Sequence, residues 1–166
     1  MKARWPLAGI LGLACLALFA TNVYATPPVP GVTTTILAKS TVADLNINAR
    51  TDPANVWRAR LQTRGVSDAY VVDNKFPPGS DTGWHSHPGP SLIFVVAGTV
   101  TNYTSGDRAC RPQVYVAGSS FVDEGGKDSH LLRNEGTVPA ETIAVQLLPT
   151  GSTRRIDMPV PANCKR

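Results

Sequence analysis

The stretch Gly83-Trp-His-Ser-His-Pro-Gly-Pro-Ser91 holds two of only three histidines in a chain of 166 residues, one residue apart. Side chains two apart on a strand project to the same side. His85 and His87 on a strand therefore make a two-pronged clamp for a metal ion. The third histidine, His130, lies in Asp128-Ser-His-Leu-Leu-Arg-Asn134, a second strand-like segment. If that strand lies beside the first, three imidazole nitrogens converge on one point.

The segments around this stretch are short and rich in β-branched and aromatic residues, the pattern of strands. They fall at residues 32–38, 56–63, 68–76, 91–104, 112–118, 119–125, 129–134 and 141–149. Turn signals separate them: Pro-Pro-Gly at 77–79, Pro-Gly-Pro at 88–90, Ser-Gly-Asp at 105–107, Glu-Gly-Gly at 124–126 and Asn-Glu-Gly at 134–136. Residues 52–62 also read as a helix start, with Asp52 as cap and Pro53 in the first turn. The alternation of Val56, Arg58, Arg60 and Gln62 against Trp57, Ala59 and Leu61 favours a strand. Many short strands with frequent turns, 14 Gly and 14 Pro predict an all-β sandwich or barrel.

The N-terminus has the grammar of a secretory signal peptide. Lys2 and Arg4 precede an uncharged apolar run from Pro6 to Ala20, and Val23 and Ala25 supply small residues for cleavage after Ala25. Fifteen apolar residues fall short of the roughly 20 that span a bilayer, so no stable membrane anchor is expected. Loss of the leader reduces 16 basic residues to 14 against 12 acidic ones, a balance of +2. That balance gives no reason to expect nucleic acid. Arg58 and Arg60 lack the interleaved aromatics of a nucleic-acid track, and read as one solvated strand face. Two cysteines remain after cleavage, Cys110 and Cys164. An even count in an exported chain predicts a disulfide, closing 55 residues and pinning the C-terminal tail. The expected organisation is a signal peptide over 1–25, a linker and first-strand region over 26–40, a β-barrel over 41–152 and a disulfide-pinned tail over 153–166.

The spacing around the histidines resembles the cupin superfamily, jelly-roll barrels that hold a metal in the barrel mouth. Its first motif asks for Gly, five residues, His-x-His, three or four residues, Glu, six residues and Gly. Gly79, His85, His87 and Gly98 stand at those places, and Ser91 replaces the glutamate. The second motif asks for Gly, about five residues, Pro-x-Gly, two residues, His, three residues and Asn. Gly118, Glu124-Gly125-Gly126, His130 and Asn134 follow that order, with Glu124 for the proline and one extra residue before His130. The likeness covers residues 70–149, and it is greatest to small exported bacterial cupins. It implies a jelly roll, a divalent metal on His85, His87 and His130, and a small-molecule ligand. It also allows a homodimer.

The absent glutamate has a chemical consequence. Three neutral imidazoles leave a divalent ion its full formal charge, which favours an anionic ligand and polarises bound oxygen strongly. Nitrogen donors favour Zn, Fe, Ni or Cu over Mn. Asp123, Glu124 and Asp128 are the carboxylates near enough in sequence to substitute, although all three read as turn charges. Ser91, Gln146 and Glu124 are expected around the metal, and Tyr103 is within reach of the mouth. Trp84, Phe94 and Phe121 are expected in the core, and Asn134 is expected to close a turn. Three functions follow: a metal-dependent oxygenase or lyase acting on a small anionic molecule, a binding module without turnover, or an interaction scaffold.

Overall fold

Strand-forming segments separated by Gly and Pro turns pair into two facing antiparallel sheets. The computed structural model describes residues 31–50 and 57–164. The expected signal peptide lies outside the described residues. In chain order the strands are β1 (Thr33–Val42), β2 (Asn46–Arg50), β3 (Arg58–Gln62), β4 (Ser67–Phe76), β5 (His85–Ser86) and β6 (Ser91–Ala97). There follow β7 (Thr99–Thr104), β8 (Gln113–Val116), β9 (Ser120–Asp123), β10 (His130–Arg133), β11 (Ala140–Pro149) and β12 (Ile156–Asp157). A 3-10 turn spans Ala162–Cys164.

One sheet has the order β1-β4-β11-β6-β9 and the other β12-β5-β10-β7-β8, the arrangement of a jelly roll. The β2-β3 hairpin stands as a separate two-stranded ribbon. In it Arg58 pairs with Arg50 and Arg60 with Asn48, giving the solvated basic face expected for the arginines. The first sheet takes β1 from residue 33 and the second takes β12 from residue 156. Both sheets therefore use strands from outside the 41–152 span. Among the described residues, no helix is long and apolar enough to cross a membrane.

The core lies between the sheets. Tyr70, Val72, Ile93, Ala144 and Leu148 pack as one cluster, and Phe76, Val95, Val100, Leu132 and Ala140 as the next. Each fully buried large side chain contributes about 1.5–3 kcal/mol by leaving water. Phe121 is half-buried against both clusters and stacks on Tyr115. Phe94 does not join it. On β6, Ser91, Ile93 and Val95 face inward, which turns Leu92, Phe94 and Val96 outward, and Phe94 is 41% exposed.

A third cluster, Trp84, Tyr103, Leu131 and Cys164, lies on the opposite side of β10 from Leu132. The C-terminal segment covers it. β12 pairs with β5, Met158 N–H donates to Trp84 O at 2.9 Å, and Cys164 is bonded to Cys110. Tyr103 is therefore part of this outer layer, where its hydroxyl donates to Glu135 at 2.8 Å, rather than part of the mouth.

Candidate metal centre

Register brings the histidines together. β5 and β10 are antiparallel neighbours, and His130 is the direct cross-strand partner of His85. The approach to β5 is stapled to β10 through Asp81 and Thr82. Thr82 N–H donates to Leu132 O at 2.9 Å, Leu132 N–H donates to Thr82 Oγ1 at 3.0 Å, and Arg133 binds Asp81 at 2.6 Å. Asn134 closes the following turn, its amide donating to Phe76 O and Val138 O. Two residues past His85, His87 falls on the same side. The ring centroids lie 4.9 Å apart for His85–His87, 4.4 Å for His85–His130 and 5.6 Å for His87–His130. One nitrogen from each lies within 4.8 Å of the other two, a group able to hold a metal ion.

Hydrogen bonds set which nitrogens face the centre. His85 Nδ1 lies 2.9 Å from Gly83 O, and His87 Nδ1 lies 2.6 Å from Arg154 O. A carbonyl only accepts, so each Nδ1 carries the proton and each Nε2 presents a lone pair. His130 Nδ1 has no partner among the described residues, and its Nε2 lies 3.1 Å from His85 Nε2. Burial lowers all three pKa values; neighbouring histidines and Arg155 add to it at His85 and His130, and Arg154 and Arg155 at His87, while Asp123 opposes it at His87 and His130, and His130 falls to about 4. The rings are neutral at pH 7, as metal ligation requires.

A row of polar side chains crosses the facing sheet. Gln146, Ser91 and Asp123 are successive partners across β11, β6 and β9. Gln146 Nε2 donates to Ser91 Oγ at 2.9 Å, and Arg154 Nη1 donates to Gln146 Oε1 at 3.2 Å. Asp123 Oδ2 lies 3.6 Å from His130 Nε2 and 4.0 Å from His87 Nε2. Of the three carboxylates near in sequence, Asp123 alone reaches the histidines. Strand alternation is the reason: Phe121 and Asp123 face inward, while Val122 and Glu124 face solvent. Asp128 is exposed as well.

The C-terminal segment supplies the site's positive charge. A cavity of about 60 Å³ is lined by the three histidines, Gln146, Arg154 and Arg155, over a floor that includes Val72 and Ile93. Arg155 donates to Thr82 O at 2.7 Å and pairs with Asp157 at 2.6 Å. Among the described residues no carboxylate pairs with Arg154, and burial, then the charge of Arg155, pushes its pKa below the ordinary guanidinium value. On the other side of His130 and Asp123 lies a second, polar cleft of about 240 Å³, which Glu124 and Asp128 also line. The arginines escaped the sequence reading. The only available signal was that a bond from Cys164 to Cys110 returns the tail to the barrel.

The fold and the site define a jelly-roll barrel with a three-histidine centre between its sheets. The sequence model of the cupin domain family matches residues 74–146, so this segment of the chain is similar to the cupin domain. No curated protein matches it. Similar solved structures include an uncharacterized conserved protein with a double-stranded β-helix domain from Klebsiella pneumoniae, at 16% identity over 69% of this chain and 84% of that one, TM-score 0.45. A cupin superfamily protein from Desulfitobacterium hafniense is 12% identical over 72% of this chain and 79% of that one, TM-score 0.45. A predicted oxalate decarboxylase from Thermotoga maritima is 20% identical over 64% of this chain and 93% of that one, TM-score 0.41.

Proposed function

We propose that the chain is an exported, metal-dependent enzyme, an oxygenase or lyase, acting on a small anionic organic molecule. The observation that carries this reading is the tautomer pattern. Two imidazoles are locked with Nδ1–H on carbonyls, so their Nε2 lone pairs face a third imidazole within the cavity. Such a set suits Zn, Fe, Ni or Cu on His85, His87 and His130. The bound ion would supply Lewis acidity, polarising an oxygen and easing proton loss from it.

The chain's own groups do the rest. Arg154 binds an anionic oxygen and is steered by Gln146. Val72 and Ile93 exclude water from the floor. Asp123 Oδ2 faces the centre, 3.6 Å from His130 Nε2 and 4.0 Å from His87 Nε2. Export is supported by the leader pattern and by the disulfide, which persists in oxidising compartments.

A second reading, capture without turnover, is favoured by cavity size. At about 60 Å³ the cavity beside the histidines has room for an ion and a few waters. Elemental analysis of protein from its own compartment, followed by a panel of small carboxylates with and without dioxygen, separates the two. Product that disappears in His85→Ala, His87→Ala and His130→Ala supports the enzyme. Stoichiometric metal without product supports the binder, and protein isolated without metal sinks both.

A further inference from the structure

We propose that Asp123 is the fourth metal-facing donor, replacing across a strand ladder the carboxylate that Ser91 lacks. This inference rests on the three-histidine reading and assigns the remaining protein ligand.

Register carries the first part. Ser91 stands where the cupin motif has glutamate, and Asp123 is its direct cross-strand partner on β9. Cross-strand partners on one face stand about 4.5–5.5 Å apart at Cβ. A carboxylate moved from one partner to the other therefore still reaches the same point.

The second part is the state of the carboxylate. Oδ1 accepts Gly125 N–H at 3.0 Å, which fixes the plane of the group. Oδ2 is buried and has no hydrogen-bond partner among the described residues. At 3.6 Å from His130 Nε2 and 4.0 Å from His87 Nε2 it is too far for a hydrogen bond to either. At His87, whose Nδ1 carries the proton, it faces the lone pair of Nε2. A buried anionic oxygen left this way is costly, and a shared cation removes the cost. Two donors each about 2.1 Å from one ion stand roughly 3 to 4 Å apart, and Asp123 Oδ2 meets that spacing to His130 and to His87.

The third part is the turn that aims it. Gly125 has φ +70°, and a Cβ there would lie 2.3 Å from Gly89 O and 2.8 Å from His87 O. Gly126 N–H donates to His87 O at 2.7 Å. Only glycine lets the Asp123 turn lie directly on the backbone of His87. The two segments that hold the donors are thus one packed unit.

The test uses the full disulfide-bonded chain, stripped with chelator and titrated with Co²⁺ alone, followed by calorimetry and visible absorption. Wild type should take up one equivalent. Asp123→Asn keeps shape and the Gly125 bond. It should weaken uptake by more than the roughly 10- to 100-fold that outer partners of a metal ligand are worth, with a changed visible spectrum. Glu124→Gln, removing the adjacent exposed carboxylate, should stay within about threefold of wild type. Asp123→Asn with unchanged affinity and spectrum overturns the inference and leaves the three-histidine reading standing. An equal loss in Glu124→Gln also overturns it, since the effect would then be one of general charge. Wild type that takes up no Co²⁺ overturns this inference and the proposed function together. Should Asp123→Asn not fold, Asp123→Glu replaces it: bound Co²⁺ with a shifted spectrum supports ligation, and a wild-type spectrum overturns it.

Discussion

Breaking the Cys110–Cys164 bond should destabilise the protein and loosen the metal centre together. The bond joins residues 54 apart in sequence and closes the C-terminal segment onto Trp84, Tyr103 and Leu131. In the chain-entropy model a loop of this length is worth about 4 kcal/mol to the folded state. At roughly 3–4 °C per kcal/mol for a domain of this size, the melting temperature should fall by about 10–15 °C. The site is affected because the freed segment carries Arg154, whose carbonyl fixes His87 Nδ1 at 2.6 Å. Loss of such a partner costs about 10- to 100-fold in metal affinity. The assay compares oxidised protein, protein treated with a phosphine reductant, and the Cys110→Ala/Cys164→Ala double variant, by thermal melting and Co²⁺ titration. Melting within about 3 °C of wild type would show that strand β12 and its contacts hold the segment without the bond. Unchanged metal affinity in a clearly destabilised variant would refute the coupling of strap to site.

Three other outcomes follow from the same contacts. Gly125→Ala should cost about 3 kcal/mol or more in urea unfolding, because φ +70° and the contact with Gly89 O both oppose a side chain; a cost under about 1 kcal/mol contradicts the packed-turn account. Metal-free protein should lose stability as pH falls from 6.5 towards 4. The folded His130 value of about 4 lies below its unfolded value of 6.5, so the unfolded chain binds more protons across that window. At about 1.4 kcal/mol per pH unit the loss from His130 is about 3 kcal/mol, and a urea midpoint flat from pH 7 to 4 speaks against it. Arg154→Ala should weaken the binding of small carboxylates to metal-loaded protein at least about tenfold while leaving metal affinity near wild type, as calorimetry would report; equal loss of both assigns Arg154 to the fold.

The histidine centre was legible in the sequence because its parts follow local rules. Strand alternation puts His85 and His87 on one side, and the motif spacing identifies His130. The pairing of His130 with His85 then needs only that β5 and β10 be neighbours. The face of β6 was not legible. Ser91-Leu-Ile-Phe-Val-Val-Ala97 is apolar almost throughout, so its period of two is invisible until register shows Phe94 outside. Asp123 could be named and not placed. It lies 32 residues from Ser91 along the chain, and the two meet only through a ladder that no local pattern encodes. The arginines were hidden for a related reason. Arg154 reaches the cavity because β12 pairs with β5, and two residues are too short to read as a strand.

Asp123 also changes where ligand selectivity resides. Three neutral imidazoles alone leave a divalent ion at +2, and the ion itself would attract an anion. With Asp123 among the donors the net charge falls to +1, and that attraction weakens. Arg154 then becomes the group that favours an anion, since among the described residues it lines the cavity with no carboxylate paired to it, while Arg155 is partly neutralised by Asp157. Metal affinity and anion affinity are thereby set by different segments: the β9 turn, packed on His87 through Gly125, and the C-terminal strap, held by the disulfide. Arg154→Ala should act on anion affinity, and Asp123→Asn on metal affinity first and on anion affinity through the charge of the ion. In metal-saturated protein, Asp123→Asn alone should tighten anion binding, because the ion regains the charge that Asp123 had offset. Anion affinity unchanged by Asp123→Asn would mean that the carboxylate does not share the ion's charge.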